Sequence, residues 1–317
     1  MKRIALLLCG LLLLLPAASR AQRPFETDFS GQDLYLGGIA MLELLHLTHS
    51  KGLAESELDN PDSMRIPGFE RHVAQNMSYK ARVMSDKLLF VSVYGHLTNA
   101  LVYDDFGHSG LISLEVFMVN DGINFLAKRL FKRRRPFVYN PDADELHDNQ
   151  LAFHKYDRRS PDAMTSFYSG HTAHAAAYSY ASATMFAHYH PDATSTRTAF
   201  FALAGAFPAV MAHLRVRAGK HFVSDVATGY IAGAAIGYLV PALHRTDEFK
   251  ASMDKVQFRQ DLTVGFASGI LTAGLLSLLS DKDAARKEHK RFLKGTAQSR
   301  LEPQLGPVNG MRWTLRF

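Results

Sequence analysis

Three short stretches of this chain hold residues whose types and spacing suit the grip and transfer of a phosphate-like anion. The first is Lys128-Arg-Leu-Phe-Lys-Arg-Arg-Arg135-Pro136, in which six of nine residues are basic. Pro136 stops the helical pattern that leads into it. Taken alone, such a run is a solvated helix end that complements the helix dipole, or a basic patch beside a membrane. Asp121, Asn124 and Lys128, however, fall at i, i+3 and i+7. They share one helix face, which predicts that Lys128 is held by partners. The second stretch is Ser166-Phe-Tyr-Ser169-Gly170-His171-Thr172-Ala-His174. Ser169 suits the N-cap of the Ala-rich run that follows, and Gly170 lets an anion approach the free N–H groups there. His171 stands at the mouth of that position, able to give or take a proton. The bland alternative is an ordinary capped helix with a surface histidine. The third stretch is Arg215-Val-Arg-Ala-Gly-Lys-His221-Phe-Val-Ser-Asp225. If helical, His221 and Asp225 share a face, where the carboxylate would fix the imidazole tautomer and leave the other nitrogen as nucleophile. Arg215 can clamp an oxyanion through two parallel hydrogen bonds. A helix-stabilising His–Asp pair is the alternative here.

The elements that must position these residues read as helices. Apolar periodicity marks stretches near 35–48, 70–103, 109–131, 169–189, 197–215, 222–243 and 261–280, and no stretch shows sustained two-residue alternation before the C-terminus. The class is therefore all-α. Thr198–Leu214, Val226–Leu243 and Leu262–Leu279 lack formal charges over 17 or 18 residues, at the lower edge of a membrane span, and Leu88–Tyr103 is a weaker fourth case. Gly229, Gly233 and Gly237, and again Gly265 and Gly269, recur every four residues, a spacing that lets helix backbones approach closely. The mean hydropathy of −0.09 is low for a multi-span protein and favours the alternative of a soluble bundle with Ala/Gly-rich buried helices.

The ends differ from the middle. Residues 1–21 carry Lys2 and Arg3, an apolar run from Ile4 to Leu15, and small residues at Ser19 and Ala21, the pattern of a signal peptide cut before Gln22. An uncleaved anchor is the alternative. Cys9 is the only cysteine, so the remainder has no disulfide or thiolate chemistry, and a zinc site would need His and carboxylates alone. Near the C-terminus Asn309-Gly310 is a turn signal, followed by alternation of Met311, Trp313, Leu315 and Phe317 with polar residues, which predicts a small hairpin. The chain of 317 residues is 47% apolar and 21% charged, enough for a sizeable core. Without residues 1–21 it holds 33 basic and 30 acidic residues, too balanced to point to nucleic acid.

Each cluster is weak alone. In this order, Lys with six residues before Arg-Pro, then Ser-Gly-His, then Arg with five residues before His and three before Asp, the chain resembles the type 2 phosphatidic acid phosphatase and vanadium haloperoxidase superfamily. Phrases such as Arg135-Pro-Phe-Val-Tyr-Asn-Pro141 and His221-Phe-Val-Ser-Asp-Val-Ala-Thr-Gly229 are similar to its bacterial membrane-associated branch. Tyr168 stands where Pro usually precedes Ser-Gly-His, and Leu214 where Ser usually precedes Arg. The resemblance implies a membrane-embedded helical bundle with no metal or other cofactor. It implies that His221 attacks phosphorus, that Asp225 orients His221, and that His171 protonates the leaving oxygen and then activates water. Lys128, Arg135, Arg215 and the backbone at Ser169 and Gly170 would bind the phosphoryl oxygens.

The expected organisation is a signal peptide over 1–21, a helical region over 22–84, a catalytic core over 85–245, a further apolar helix and basic segment over 246–298 and a hairpin over 299–317. The expected activity is hydrolysis of a lipid phosphate monoester or pyrophosphate, in the bacterial cell envelope, by a site facing the periplasm from the inner membrane. A soluble periplasmic acid phosphatase, a vanadium haloperoxidase and a non-enzymatic scaffold are the alternatives. The phosphorylated lipid and the membrane are the expected partners. His188 and His190 carry no expected metal; His174, one turn after His171, is a residue that can line the site. The polar segment from Phe137 to Thr165 is a candidate cover for it.

Overall fold

The computed structural model describes residues 24–27, 66–103, 105–140, 156–158, 160–252 and 254–280, with the backbone of 301–305 and 311–315. The leader, the stretch near 35–48 and most of the 137–165 segment lie outside the described residues. Helix α1 covers Tyr79–Leu101, α2 Phe106–Phe131, α3 Gly170–Tyr189, α4 Thr194–Arg217, α5 Val223–Leu243, α6 Asp247–Ser252 and α7 Lys255–Leu279. Short 3-10 turns occupy Gly68–Gln75, Pro136–Tyr139 and Pro161–Met164. Strands β1, Leu301–Leu305, and β2, Met311–Leu315, pair antiparallel with Leu301 opposite Leu315.

The stretch expected as one helix over 70–103 is broken. Ser78 N–H donates to the Arg217 carbonyl at 3.0 Å and Asn76 Nδ2 to that of Val216 at 3.2 Å, so this connection is tied to the end of α4. The Ser78 hydroxyl then accepts from Ala81 N–H and starts α1 afresh.

Alanine-rich α3 runs through the middle, with Ala173, Ala175, Ala176, Ala177 and Ala181 fully buried. Helix α5 meets it backbone to backbone. A Cβ on Gly233 would stand 2.1 Å from the Ala173 carbonyl oxygen, and one on Gly237 2.2 Å from that of Ala177. Gly205 of α4 abuts Gly265 of α7 in the same way. Both four-residue glycine rows thus serve close helix packing.

Four segments are long and apolar enough to cross a membrane: Phe106–Tyr139, Thr194–Arg217, Val223–Leu243 and Lys255–Leu279. Three contain the apolar stretches singled out from the sequence. The fourth is α2, not Leu88–Tyr103. Helix α1 ends at Leu101 and carries Asp86 and Lys87, so its charge-free part is only Leu88–Leu101, too short to span, whereas α2 runs on with its basic residues at its last turn. On α7, Ile270, Leu278 and Leu279 are 75%, 85% and 80% exposed, a surface that suits lipid and not water.

The helices alternate in direction, so the bundle has two ends. One collects the end of α2 and the starts of α3 and α5. At the other, Phe25 bridges to Arg245, and Glu26 N–H donates to the His244 carbonyl at 2.9 Å. Helix α5, 21 residues long, separates the two ends by about 30 Å.

Candidate active site

The basic run after α2 is sorted by one backbone turn. Lys132 takes a left-handed conformation, φ 42°, and its N–H returns to the Lys128 carbonyl, closing the helix. Beyond it, alternate arginines go to different partners. Arg133 donates to Glu70 at 2.7 Å, to Ser224 Oγ at 2.7 Å and to Asp225, and stacks over the Phe222 ring. Arg135 is buried and turns the other way. Its Nε donates to the Asp162 carbonyl at 2.7 Å and its Nη2 to the Asp162 carboxylate at 2.7 Å and Thr165 Oγ1 at 3.2 Å. Its Nη1 reaches the Lys220 carbonyl at 3.1 Å and His221 Nε2 at 3.2 Å. Composition left these arginines interchangeable; the fold does not.

His221 lies two residues before α5, not within it. Its Nδ1 is 2.7 Å from the Ser166 carbonyl oxygen. A carbonyl only accepts, so Nδ1 carries the hydrogen, and the lone pair of neutral His221 sits on Nε2, facing Arg135. The expected direct hydrogen bond to Asp225 is absent from this arrangement: its Oδ2 stands 4.0 Å from Nδ1. Asp225 instead accepts from Phe222 N–H at 2.9 Å and from the Ser166 hydroxyl at 2.6 Å. It therefore fixes the loop whose carbonyl holds His221. Burial, then the charges of Arg135, Arg215 and Lys128, push the His221 ring well below the usual imidazole range.

Ser169 caps α3: its Oγ accepts from Thr172 N–H, and its own N–H donates to the Asp225 carbonyl at 3.1 Å. The polar face of α2 points at this helix start. Asn124 Nδ2 donates to the Tyr168 carbonyl at 2.9 Å, and Asp121 pairs with His174 at 3.5 Å. A Cβ on Gly170 would stand 3.3 Å from Lys128 Nζ and 2.9 Å from Asn124 Oδ1, so glycine makes room for both side chains beside the helix N-terminus. His171 Nε2 lies 2.9 Å from Asp86 Oδ1. Asp86 also meets Arg82 at 3.3 Å and Arg215 at 3.5 Å, and Arg215 donates to Ser85 at 3.1 Å. Burial and the Arg215 charge bring His171 down to about 3 against the pull of Asp86.

All eight residues singled out from the sequence thus gather at one end of the bundle. Among the described residues there, Arg82, Ser85, Asp86, Asp162 and Lys220 escaped sequence reasoning. Arg82, Ser85 and Asp86 come from α1, where a charged i, i+4 pair in an apolar helix was the available signal. Lys220, 2% exposed, places its ammonium 4.4 Å from the Phe137 ring centroid and 4.5 Å from that of Tyr156. It reaches Asp162 at 3.4 Å. Burial raises the Asp162 carboxyl, but Arg135, Lys220, Arg215 and Lys128 outweigh it and hold the group well below the carboxylate range. Its side chain is 48% exposed, so this end presents a carboxylate to solvent with cations beneath it. Among the described residues, no three His, Cys, Asp or Glu side chains cluster as a metal ion would need.

Residues 109–248 match the family model described as the PAP2 superfamily. This stretch of 140 residues, out of 317 in the chain, is similar to that superfamily. Comparison with curated proteins and with solved structures gave no match. The PAP2 superfamily is a group of phosphatase-type proteins that includes lipid phosphatases and haloperoxidases. Lys128, Arg135, Ser169, Gly170, His171, Arg215, His221 and Asp225 all fall inside the matched stretch, whereas α1 falls outside it.

Proposed function

We propose that the chain hydrolyses a phosphate monoester or pyrophosphate of a lipid through a phosphohistidine on His221, without a metal. The observation that carries this reading is the lone pair of His221 Nε2, directed by the Ser166 carbonyl into a cluster of cations. Nε2 attacks phosphorus as the bond to the leaving oxygen breaks, and His171 gives that oxygen its proton. His171 then takes a proton from water, which attacks phosphorus and frees His221. Lys128, Arg135, Arg215 and the helix start at Ser169 and Gly170, where the Gly170 N–H points outward from the cap while that of Ser169 is taken by Asp225, hold the phosphoryl oxygens. Phosphoryl transfer needs positioning and spread positive charge, which fixed cations and a helix start supply. The first step needs protonated His171, and the two negative charges of a bound phosphate oppose the burial and Arg215 charge that lower its ring.

The lipid part rests on the bare apolar sides of α2 and α7 beside this end of the bundle. Their length and composition support a membrane of the bacterial cell envelope, and the leader supports export across the inner membrane. The docking of Pro24–Thr27 bears on the face. If the helices cross a bilayer, residues 24–27 and the phosphate site lie on opposite faces. An outward-facing site then requires that the chain reach residue 24 on the cytoplasmic side. A leader removed outside, with an outward-facing site, requires a bundle that does not cross. That position of residues 24–27 favours a second reading, a soluble periplasmic acid phosphatase for small esters.

The test uses the full chain, purified in detergent and chelated, against a panel of phospholipid monoesters, lipid pyrophosphates and small phosphate esters. Phosphate release from a lipid supports the reading. Release from small esters alone, with the protein in the soluble fraction, supports the second. Strict dependence on an added divalent ion, or peroxide-dependent halide oxidation with vanadate and no hydrolysis, would overturn both.

A further inference from the structure

We propose that Asp86 is the positioning residue for His171, fixing its tautomer so that Nδ1 carries the proton to and from the reacting oxygen. This rests on the phosphatase reading above and adds a residue from α1, outside the matched family stretch. An ionised carboxylate only accepts, so the 2.9 Å contact between Asp86 Oδ1 and His171 Nε2 places the hydrogen on Nε2. Neutral His171 then has its lone pair on Nδ1, the nitrogen available for proton transfer. Asp86 is itself fixed. Arg82, one turn before it on α1, holds the other oxygen at 3.3 Å. Arg215 approaches Oδ1 at 3.5 Å while bonding Ser85, so the side chain that steadies the acid also steadies a phosphate-clamping arginine. The charges acting on His171 are Arg215 from α4, Asp86 from α1 and Arg135 beyond α2, with Arg82 behind Asp86. On its own helix, His174 is taken up by Asp121. Asp86 is thus the anion in direct contact with this ring, set among cations that would strip its proton.

The experiment compares kcat/KM of the full chain with Asp86→Asn and Asp86→Glu, on an alkyl phosphate monoester and on p-nitrophenyl phosphate, from pH 4 to 9. An alkoxide leaves poorly without a proton, whereas p-nitrophenolate needs little help. Asp86→Asn should therefore lose about 100-fold on the alkyl ester and under about 5-fold on the aryl ester. Its descending pH limb should move about one unit toward acid, and Asp86→Glu should restore part of both. In a His171→Ala background, Asp86→Asn should cost less than about threefold more. Equal losses on the two esters with an unmoved limb would overturn the proposal in favour of structural support. A lower KM with unchanged kcat would overturn it in favour of a carboxylate that substrate displaces. If Asp86→Asn does not fold, Asp86→Glu and His171→Ala carry the same comparison of the two esters. Failure of the unaltered chain on both esters would count against the phosphatase reading itself, separately from these differences between variants.

Discussion

Replacing Asp225 by Asn asks how His221 is held. The imidazole gains positive charge as Nε2 bonds to phosphorus, and Asp225 Oδ2 lies 4.0 Å from Nδ1. A unit charge pair at that distance is worth about 4 kcal/mol at an effective dielectric constant of about 20. Arg133, bonded to the same carboxylate, opposes it. If it offsets about half, about 2 kcal/mol remains, or roughly 30-fold in rate. Asn can still accept from Phe222 N–H, and the Ser166 carbonyl still receives Nδ1–H, so the loop and the tautomer persist. Rapid-quench measurement should show the phosphoenzyme forming 10- to 100-fold more slowly, still on His221. Ser166→Ala removes one hydrogen bond to Asp225 and leaves the carbonyl, so its loss should stay under about tenfold. A rate for Asp225→Asn within about threefold of the unaltered chain would refute the electrostatic reasoning. So would a loss as complete as that of His221→Ala, which would mean that Asp225 holds the ring directly.

Three further outcomes are expected. Gly233→Leu drives a side chain into the Ala173 carbonyl, where even a Cβ would come within 2.1 Å. It should cost more than about 3 kcal/mol and remove most of the folded protein, as read by size exclusion in detergent; a normal yield would contradict the α3–α5 packing. Burial lowers both His221 and His171, so below about pH 6.5 the unfolded chain takes up protons that the folded chain refuses. Stability of the phosphate-free protein should fall with pH, by about 2 kcal/mol per ring at pH 5, and a melting temperature flat from pH 7 to 5 would contradict this. Single cysteines at Glu26→Cys and Arg134→Cys, in a Cys9→Ser background, should react with an impermeant maleimide from opposite faces if the bundle spans the membrane. Labelling of both from one face would rule out a spanning bundle.

The helices were legible because their signals are local. Runs of Ala and Gly in α3 and α5, and the charge-free stretches of α4 and α7, reveal length and apolarity without reference to partners. The break before α1 was not legible, since Ser78 and Asn76 bond to carbonyls at the end of α4, some 140 residues away. The same contrast runs through the site. His171, Arg215 and His221 stand out by type and spacing. The Ser166 carbonyl that orients His221 belongs to the main chain, which side-chain identity does not report. Asp86 reaches His171 across 85 positions and looked like an ordinary charged residue on a helix. Arg133 and Arg135 have identical side chains and near-identical positions in sequence. The extended backbone that follows the left-handed turn at Lys132 sends one to Asp225 and the other to His221.

The most direct test of the central claim is isolation of the covalent intermediate. The full chain, mixed with a 32P-labelled substrate it hydrolyses and quenched in alkali, should hold label with the stability of phosphohistidine, and peptide mapping should place it on His221. His171→Ala should take up label from a labelled aryl ester, whose leaving group needs little help from an acid, and release it slowly. Label that appears on another residue, or full turnover with His221→Ala, would contradict the assignment of His221 as the nucleophile.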